Sequence, residues 1–177
     1  MFEDYLRDSF EFLSEAERLM SETKAREARR YFRAAVFYAS AAMEAFVNYV
    51  ADSFAKGQSI PEREILYLND SALVFAKTKG FVPKTEFHPL DNKLRLLISR
   101  FLPKFDFEGL AWNHFMEFKA MRDGLVHPRD AEDDRDVVEY RTKVRAGLKA
   151  IIQIMNEITQ GIFGKPLRKQ ILVLVPE

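Results

Sequence analysis

Apolar residues return every three or four positions over most of this chain, the period at which one face of an α-helix is buried. Over residues 2–22, Tyr5, Leu6, Phe10, Leu13, Ala16 and Met20 fall on one side and predict a first long helix. A second is expected over 24–55, with Gly57 as a left-handed cap. No proline precedes Pro61 and Gly57 is the first glycine, so nothing interrupts either segment. The pattern leaves open whether the two form one bent rod or a hairpin. Residues 107–126 predict a third long helix, with Ala111, Phe115, Phe118 and Arg122 along one stripe. Residues 137–162 give the clearest amphipathic pattern, Val137, Val144, Leu148, Ile151, Met155, Ile158 and Ile162 recurring near heptad spacing.

The middle of the chain is punctuated differently. Ser59, Pro61 and Glu62 combine a capping residue, an early proline and a glutamate three positions on, which starts a short helix running to about Leu68. A further short helix is expected over 71–79, a loop over 81–89 around Pro83 and Pro89, and a helix over 90–102 that stops before Pro103. A charged connector from His127 to Asp134 separates the last two long helices. After Pro166 the run Ile171 to Val175 is apolar and β-prone, either a docked tail or an intersubunit strand. The expected fold is therefore all-α: a bundle of four long helices with short inserted helices, one domain over 1–165 and a tail over 166–177.

Composition narrows the function classes. At 47% apolar and 31% charged residues, the chain has ample material for a core and is not disordered as a whole. The 27 basic and 27 acidic residues cancel, which argues against a broad polyanion-binding coat but leaves room for a local basic patch. Without cysteine there is no disulfide, thiol nucleophile, iron–sulfur cluster or zinc knuckle. The chain opens on no basic-then-apolar leader, and no apolar run approaches the ~18–20 residues of a membrane span. A cytoplasmic protein with no membrane partner is expected. The 16 phenylalanines point to large packed helix interfaces. His88, His114 and His127 share no metal-ligand spacing, and Glu86 with His88 is a weak pair in an expected loop. Neither a phosphate-cradling glycine loop nor a Gly-x-Ser-x-Gly elbow occurs, so no metal and no cofactor are expected.

What chemistry remains lies at the end of the third long helix, in Arg122-Asp123-Gly124-Leu125-Val126-His127. A fixed positive charge and a titratable imidazole are the two groups needed to cleave RNA without a metal. The histidine exchanges protons with the ribose 2′-hydroxyl or the leaving 5′-oxygen, and the arginine stabilises charge on the phosphorus oxygens. An offset of five turns two helical side chains about 140° apart, so both reach one groove only if the helix loosens, which Gly124 permits. The bland alternative is a surface arginine and a histidine favouring a helix C-terminus.

Set between the last two long helices of a helical chain, these residues resemble the signature of the HEPN superfamily: an arginine, a following polar residue and a histidine four to six positions after the arginine. On this chain those positions are Arg122, Asp123 and His127. The resemblance covers the bundle plan over about 2–162. It implies a dimeric helix bundle whose two motifs meet at the subunit interface as a composite ribonuclease site. It also implies a toxin or phage-defence role, with a neutralising partner that is often nucleotidyltransferase-like. Relatives that have lost catalysis serve as nucleotide-, RNA- or protein-binding modules, which is the alternative function. The glycine after Asp123 and the elaboration over 59–89 depart from the family plan.

Two further sets of residues could support such a site. Between Ala34 and Ala51 the plainly polar residues are Ser40, Glu44 and Asn48, spaced by four along one row. The row is either a narrow strip facing water or the wall of a cleft beside Arg122, where Glu44 and Asn48 would support the arginine or imidazole. Upstream, Arg26, Arg30 and Arg33 share one face in the densest basic cluster. They read as RNA-phosphate contacts or as a solvated helix start partly paired with Glu22 and Glu27.

Overall fold

The computed structural model describes residues 1–57, 60–127 and 136–174. Helix accounts for 73% of them, so the chain is mostly helical. The elements run α1 (Phe2–Ser21), α2 (Ala25–Gly57), α3 (Glu62–Leu68), β1 (Ser71–Ala76), β2 (Gly80–Thr85), α4 (Leu90–Phe101), α5 (Leu110–Val126), α6 (Val137–Phe163) and α7 (Lys169–Leu172).

The first two helices form a hairpin. Thr23 adopts a left-handed φ of 62°, and the Lys24 and Thr23 N–H groups donate to the Leu19 and Met20 carbonyls at 3.0 and 3.1 Å. That pair of bonds is a Schellman closure, made here without glycine. Ser9 lets the helices approach closely: its buried hydroxyl donates to the Ala35 carbonyl at 2.8 Å. The face of α2 carrying Phe32, Ala39, Met43, Phe46 and Val50 is buried in the core shared with α1, α5 and α6. By length and composition α2 is apolar enough to cross a membrane, yet half of its apolar window is buried within the fold. The expectation that no run approaches that length is corrected accordingly.

Glu17 ties α1 to α6, accepting hydrogen bonds from Arg141 Nε at 2.9 Å and Arg145 Nε at 2.6 Å. Burial raises the pKa of this carboxyl, but the two arginines outweigh it and hold it below its ordinary 4.5. A depressed carboxylate stabilises the fold above its unfolded pKa and loses that contribution as the pH falls through the folded value. Glu17→Gln is expected to cost about 1 kcal/mol near neutral pH, a partly screened interaction. The difference from wild type should close below pH 4.5, as urea melts at the two pH extremes would show.

The middle segment departs from expectation. Residues 71–79, expected as a helix, supply β1, and the expected loop supplies β2; the strands pair antiparallel with Leu73 opposite Pro83 and Phe75 opposite Phe81. Leu73, Val74 and Phe75 are β-favouring residues in a run too short for its period to decide, and Gly80 at φ 71° lets the chain reverse. Two other expectations fail on backbone grounds. Gly57 stays helical, the left-handed helix cap falling instead on Gly164 at φ 65° after α6. The third long helix begins at Leu110 because Asp106 accepts the Glu108 N–H in a turn before it. The tail is docked and helical rather than extended: Leu167 and Ile171 are buried, and Arg7 donates to Gln170 at 3.0 Å. Val175 lies outside the described residues.

Candidate functional site

One stripe of α5, formed by Trp112, Phe115, Phe118 and Met121, is buried, much of it against α6. That seating turns Lys119, Arg122 and Asp123 toward an open cleft of about 520 Å³, walled by Ser40 and Glu44 of α2 and by Phe87 and Leu90 before and within α4. His127 lines the same cleft. The helix does not loosen at Gly124, contrary to the expectation; it runs unbroken to Val126. His127 reaches the cleft because it is the residue at which the helix ends, with φ −123° and ψ 67°. Its backbone N–H still closes onto the Asp123 carbonyl at 2.9 Å, so the residue stays tethered to the last turn while its backbone leaves the helical conformation.

The charges in the cleft are closely matched. Arg122 Nη1 donates to Asp123 Oδ1 at 3.2 Å, and Nη2 stands 3.7 Å from Glu44 Oε1. Lys119 Nζ donates to Asp123 Oδ2 at 3.0 Å and lies 3.6 Å from Asp91 Oδ1. Burial works against the charge on Asp123, but Lys119 and Arg122 outweigh it and hold the carboxyl below its usual range. Lys119 shows the mirror image: burial lowers its pKa, and Asp123 and Asp91 raise it further than that. Among the described residues no three histidine, aspartate or glutamate side chains converge to hold a metal ion.

No protein family, curated protein or solved structure matches the chain. The chemistry is therefore argued from the cleft itself.

Arg122, Asp123, His127 and Glu44 come together, and Glu44 stands beside the guanidinium. Asn48 does not join them. One turn further along α2, it lines a neighbouring pocket of about 100 Å³ with Asp70, His88 and Lys93. Arg26, Arg30 and Arg33 lie outside the cleft, although helical spacing puts them on the same α2 face as Ser40, Glu44 and Asn48. The row from Arg26 to Glu44 is about 27 Å long. Glu22 pairs with Lys24 and Arg18, whereas Arg26, Arg30 and Arg33 make no ion pair among the described residues. Of the charged connector from His127 to Asp134, the part from 128 onward lies outside those residues.

A cluster that sequence reasoning missed stands beside the cleft. Asp70, at a left-handed φ of 53°, pairs with the buried Lys93 ammonium at 2.7 Å and accepts the His88 N–H at 2.8 Å. Its own carbonyl accepts the Glu86 N–H at 2.8 Å, and Tyr67 stacks on the His88 ring at 3.9 Å. Burial raises the Asp70 pKa, but Lys93 and the His88 N–H prevail and lower it. The signal available in the sequence was Asn69-Asp70, a turn-forming pair tolerant of the left-handed region. Asp70→Ala strands the Lys93 charge and is expected to cost about 2 kcal/mol. Asp70→Ala combined with Lys93→Met should recover most of that loss, as paired denaturant melts would reveal.

Proposed function

We propose that this chain is a metal-independent endoribonuclease of the HEPN type, a helix bundle acting as a homodimer. The observation that carries the reading is the shared cleft of Arg122 and His127, open to solvent and about 520 Å³ in volume. His127 takes the proton from a ribose 2′-hydroxyl, and the 2′-oxygen bonds to the adjacent phosphorus as the bond to the 5′-oxygen breaks. A proton delivered to that leaving oxygen completes the step, giving a 2′,3′-cyclic phosphate and a free 5′-hydroxyl. In a dimer, one histidine accepts the proton and the second donates it. Arg122 balances the charge that grows on the phosphorus oxygens. Glu44 and Asp123 hold the guanidinium in place.

The test is incubation of single-stranded RNA with the protein in excess EDTA, with mass spectrometry of the product ends. Cyclic phosphate ends, and no cleavage of DNA of the same sequence, are expected because the nucleophile is the 2′-hydroxyl. Ends bearing a 3′-hydroxyl, or intact RNA, would overturn the reading. A second reading, a non-catalytic nucleotide- or RNA-binding or protein-interaction module, rests on the two carboxylates around Arg122, which offset the charge that catalysis would use. It predicts retention of RNA without turnover and an affinity indifferent to His127→Ala.

A further inference from the structure

The β1–β2 hairpin presents an apolar face that the fold leaves uncovered. Alternation along the strands places Leu73, Phe75, Phe81 and Pro83 together on it, and Leu73, Phe75 and Phe81 are 42%, 68% and 71% exposed. The Phe75 and Phe81 rings meet edge to face at 5.7 Å, so each keeps a free π-face. Val74 and Val82, on the other face, are half-buried. The turn end of the hairpin is cationic: Lys77 and Lys79 are exposed there, Lys84 is exposed from the opposite face beside Val82, and no aspartate or glutamate occurs from Ser71 to Thr85. Two residues beyond β2 stands Phe87, 79% exposed and lining the cleft of Arg122 and His127. The bonds of Asp70 to Glu86, His88 and Lys93 fix the base of the hairpin and the approach to Phe87.

Exposed aromatic faces joined to a cationic turn are what a single-stranded nucleic acid requires. Unpaired bases stack on the rings with little regard to sequence, and the lysines meet the phosphates. A duplex offers the phosphates but not the base faces, because its bases already stack on one another. Continuity with the cleft through Phe87 places such a strand where Arg122 and His127 can meet it.

We infer that the hairpin and Phe87 form a stacking platform that holds single-stranded RNA and leads it into the cleft. The role as substrate guide rests on the proposed ribonuclease reading; the binding itself does not.

The experiment measures fluorescence anisotropy of a labelled RNA of about 10 nucleotides, a length within the usual range for such platforms. The protein carries His127→Ala so that the RNA stays intact. Phe75→Ala with Phe81→Ala is expected to weaken binding at least tenfold, and Phe87→Ala severalfold, at unchanged melting temperature because these rings are exposed. DNA of the same sequence should lose affinity in parallel, since stacking and phosphate contacts need no 2′-hydroxyl. Replacing Lys77 and Lys79 by alanine should flatten the logarithmic salt dependence by about 1.4, roughly 0.7 per phosphate contact, whereas Lys84→Ala, on the opposite face, should change it little. Ring variants that bind as the parent does would overturn the platform. So would duplex RNA binding as tightly as the single strand, or ring variants that lose only adhesion to phosphatidylserine vesicles. Failure of the ribonuclease reading is separate: His127-intact protein leaves RNA uncut while the ring variants still lose binding. Conversely, cleavage at undiminished kcat/KM by the ring variants would sink the platform and leave the ribonuclease standing.

Discussion

His127→Ala is expected to slow RNA cleavage by about two to four orders of magnitude, the usual contribution of a positioned general acid–base group. The loss should fall on kcat, because the imidazole meets the reacting proton and contributes little to holding the phosphate chain. Arg122→Ala should cost about 100- to 1000-fold, the range for removing one donor that stabilises a developing oxyanion. Arg122→Lys should recover only part of this. Its ammonium keeps the charge but loses the planar fork that faces Asp123 and Glu44 together. Glu44→Gln isolates the positioning role. It leaves the size of the side chain unchanged and removes the charge beside Nη2, so a loss of about tenfold in kcat with little change in KM is expected for a residue acting through Arg122. Single-turnover assays of these four variants, with circular dichroism to confirm folding, check the set. Full activity in His127→Ala would remove the imidazole from the chemistry. The ion pair beneath the site does not titrate near neutrality: the Asp123 carboxyl lies below its ordinary value, so its bond to Arg122 is lost only when acid reaches that lowered pKa.

Charge within the cleft repeats the balance of the whole chain. Arg122 and Lys119 are each held between two carboxylates, so the cleft itself exerts little pull on a distant polyanion. Attraction must come from outside it. Arg26, Arg30 and Arg33 along the continuing face of α2, and Lys77, Lys79 and Lys84 around the hairpin, are the cations placed to supply it. Zero net charge is therefore compatible with RNA binding, because the uncompensated cations are segregated from the matched ones.

The long helices were legible because each carries a buried stripe at helical period over several turns, as in Leu6, Phe10, Leu13 and Ala16 of α1. The hairpin was not. Its strands are six residues each, too short for period two to stand out, and their most apolar positions face outward. The motif was legible as a residue pattern but not as geometry. Five positions along an ideal helix separate Arg122 and His127, and only the placement of the helix end at Val126 frees the histidine. The neighbours of Arg122 divide in the same way. Glu44 was visible because its four-residue spacing with Ser40 and Asn48 stands out in an apolar helix. Asp91 was invisible and Asn69-Asp70 marked only a turn, since the pairs with Lys119 and Lys93 are tertiary contacts that local sequence does not encode.

Gly147→Ala is expected to be among the most damaging single substitutions in the fold, destabilising it by about 3 kcal/mol, at the upper end for one added methyl in a packed interior. Gly147 lies on α6 where α5 crosses it. A Cβ there would stand 2.0 Å from Cδ2, 2.5 Å from Cγ and 2.7 Å from Cβ of Phe118. These atoms form the root of the aromatic side chain, so a rotation about its far end cannot relieve the clash. Either Phe118 leaves its rotamer or α5 and α6 separate, and both disturb the site, since Phe118 lines the cleft one turn before Arg122. Cleavage should therefore fall with stability, although Gly147 touches neither reacting group. Phe118→Ala alone is expected to cost about 3–5 kcal/mol through the cavity it leaves. Combined with Gly147→Ala, it should cost less than the sum, because the new methyl occupies space the ring has vacated. Urea melts of both single variants and the double variant measure that coupling. A neutral Gly147→Ala, or strict additivity in the double variant, would mean that α5 and α6 do not approach as closely as the seating of Arg122 requires.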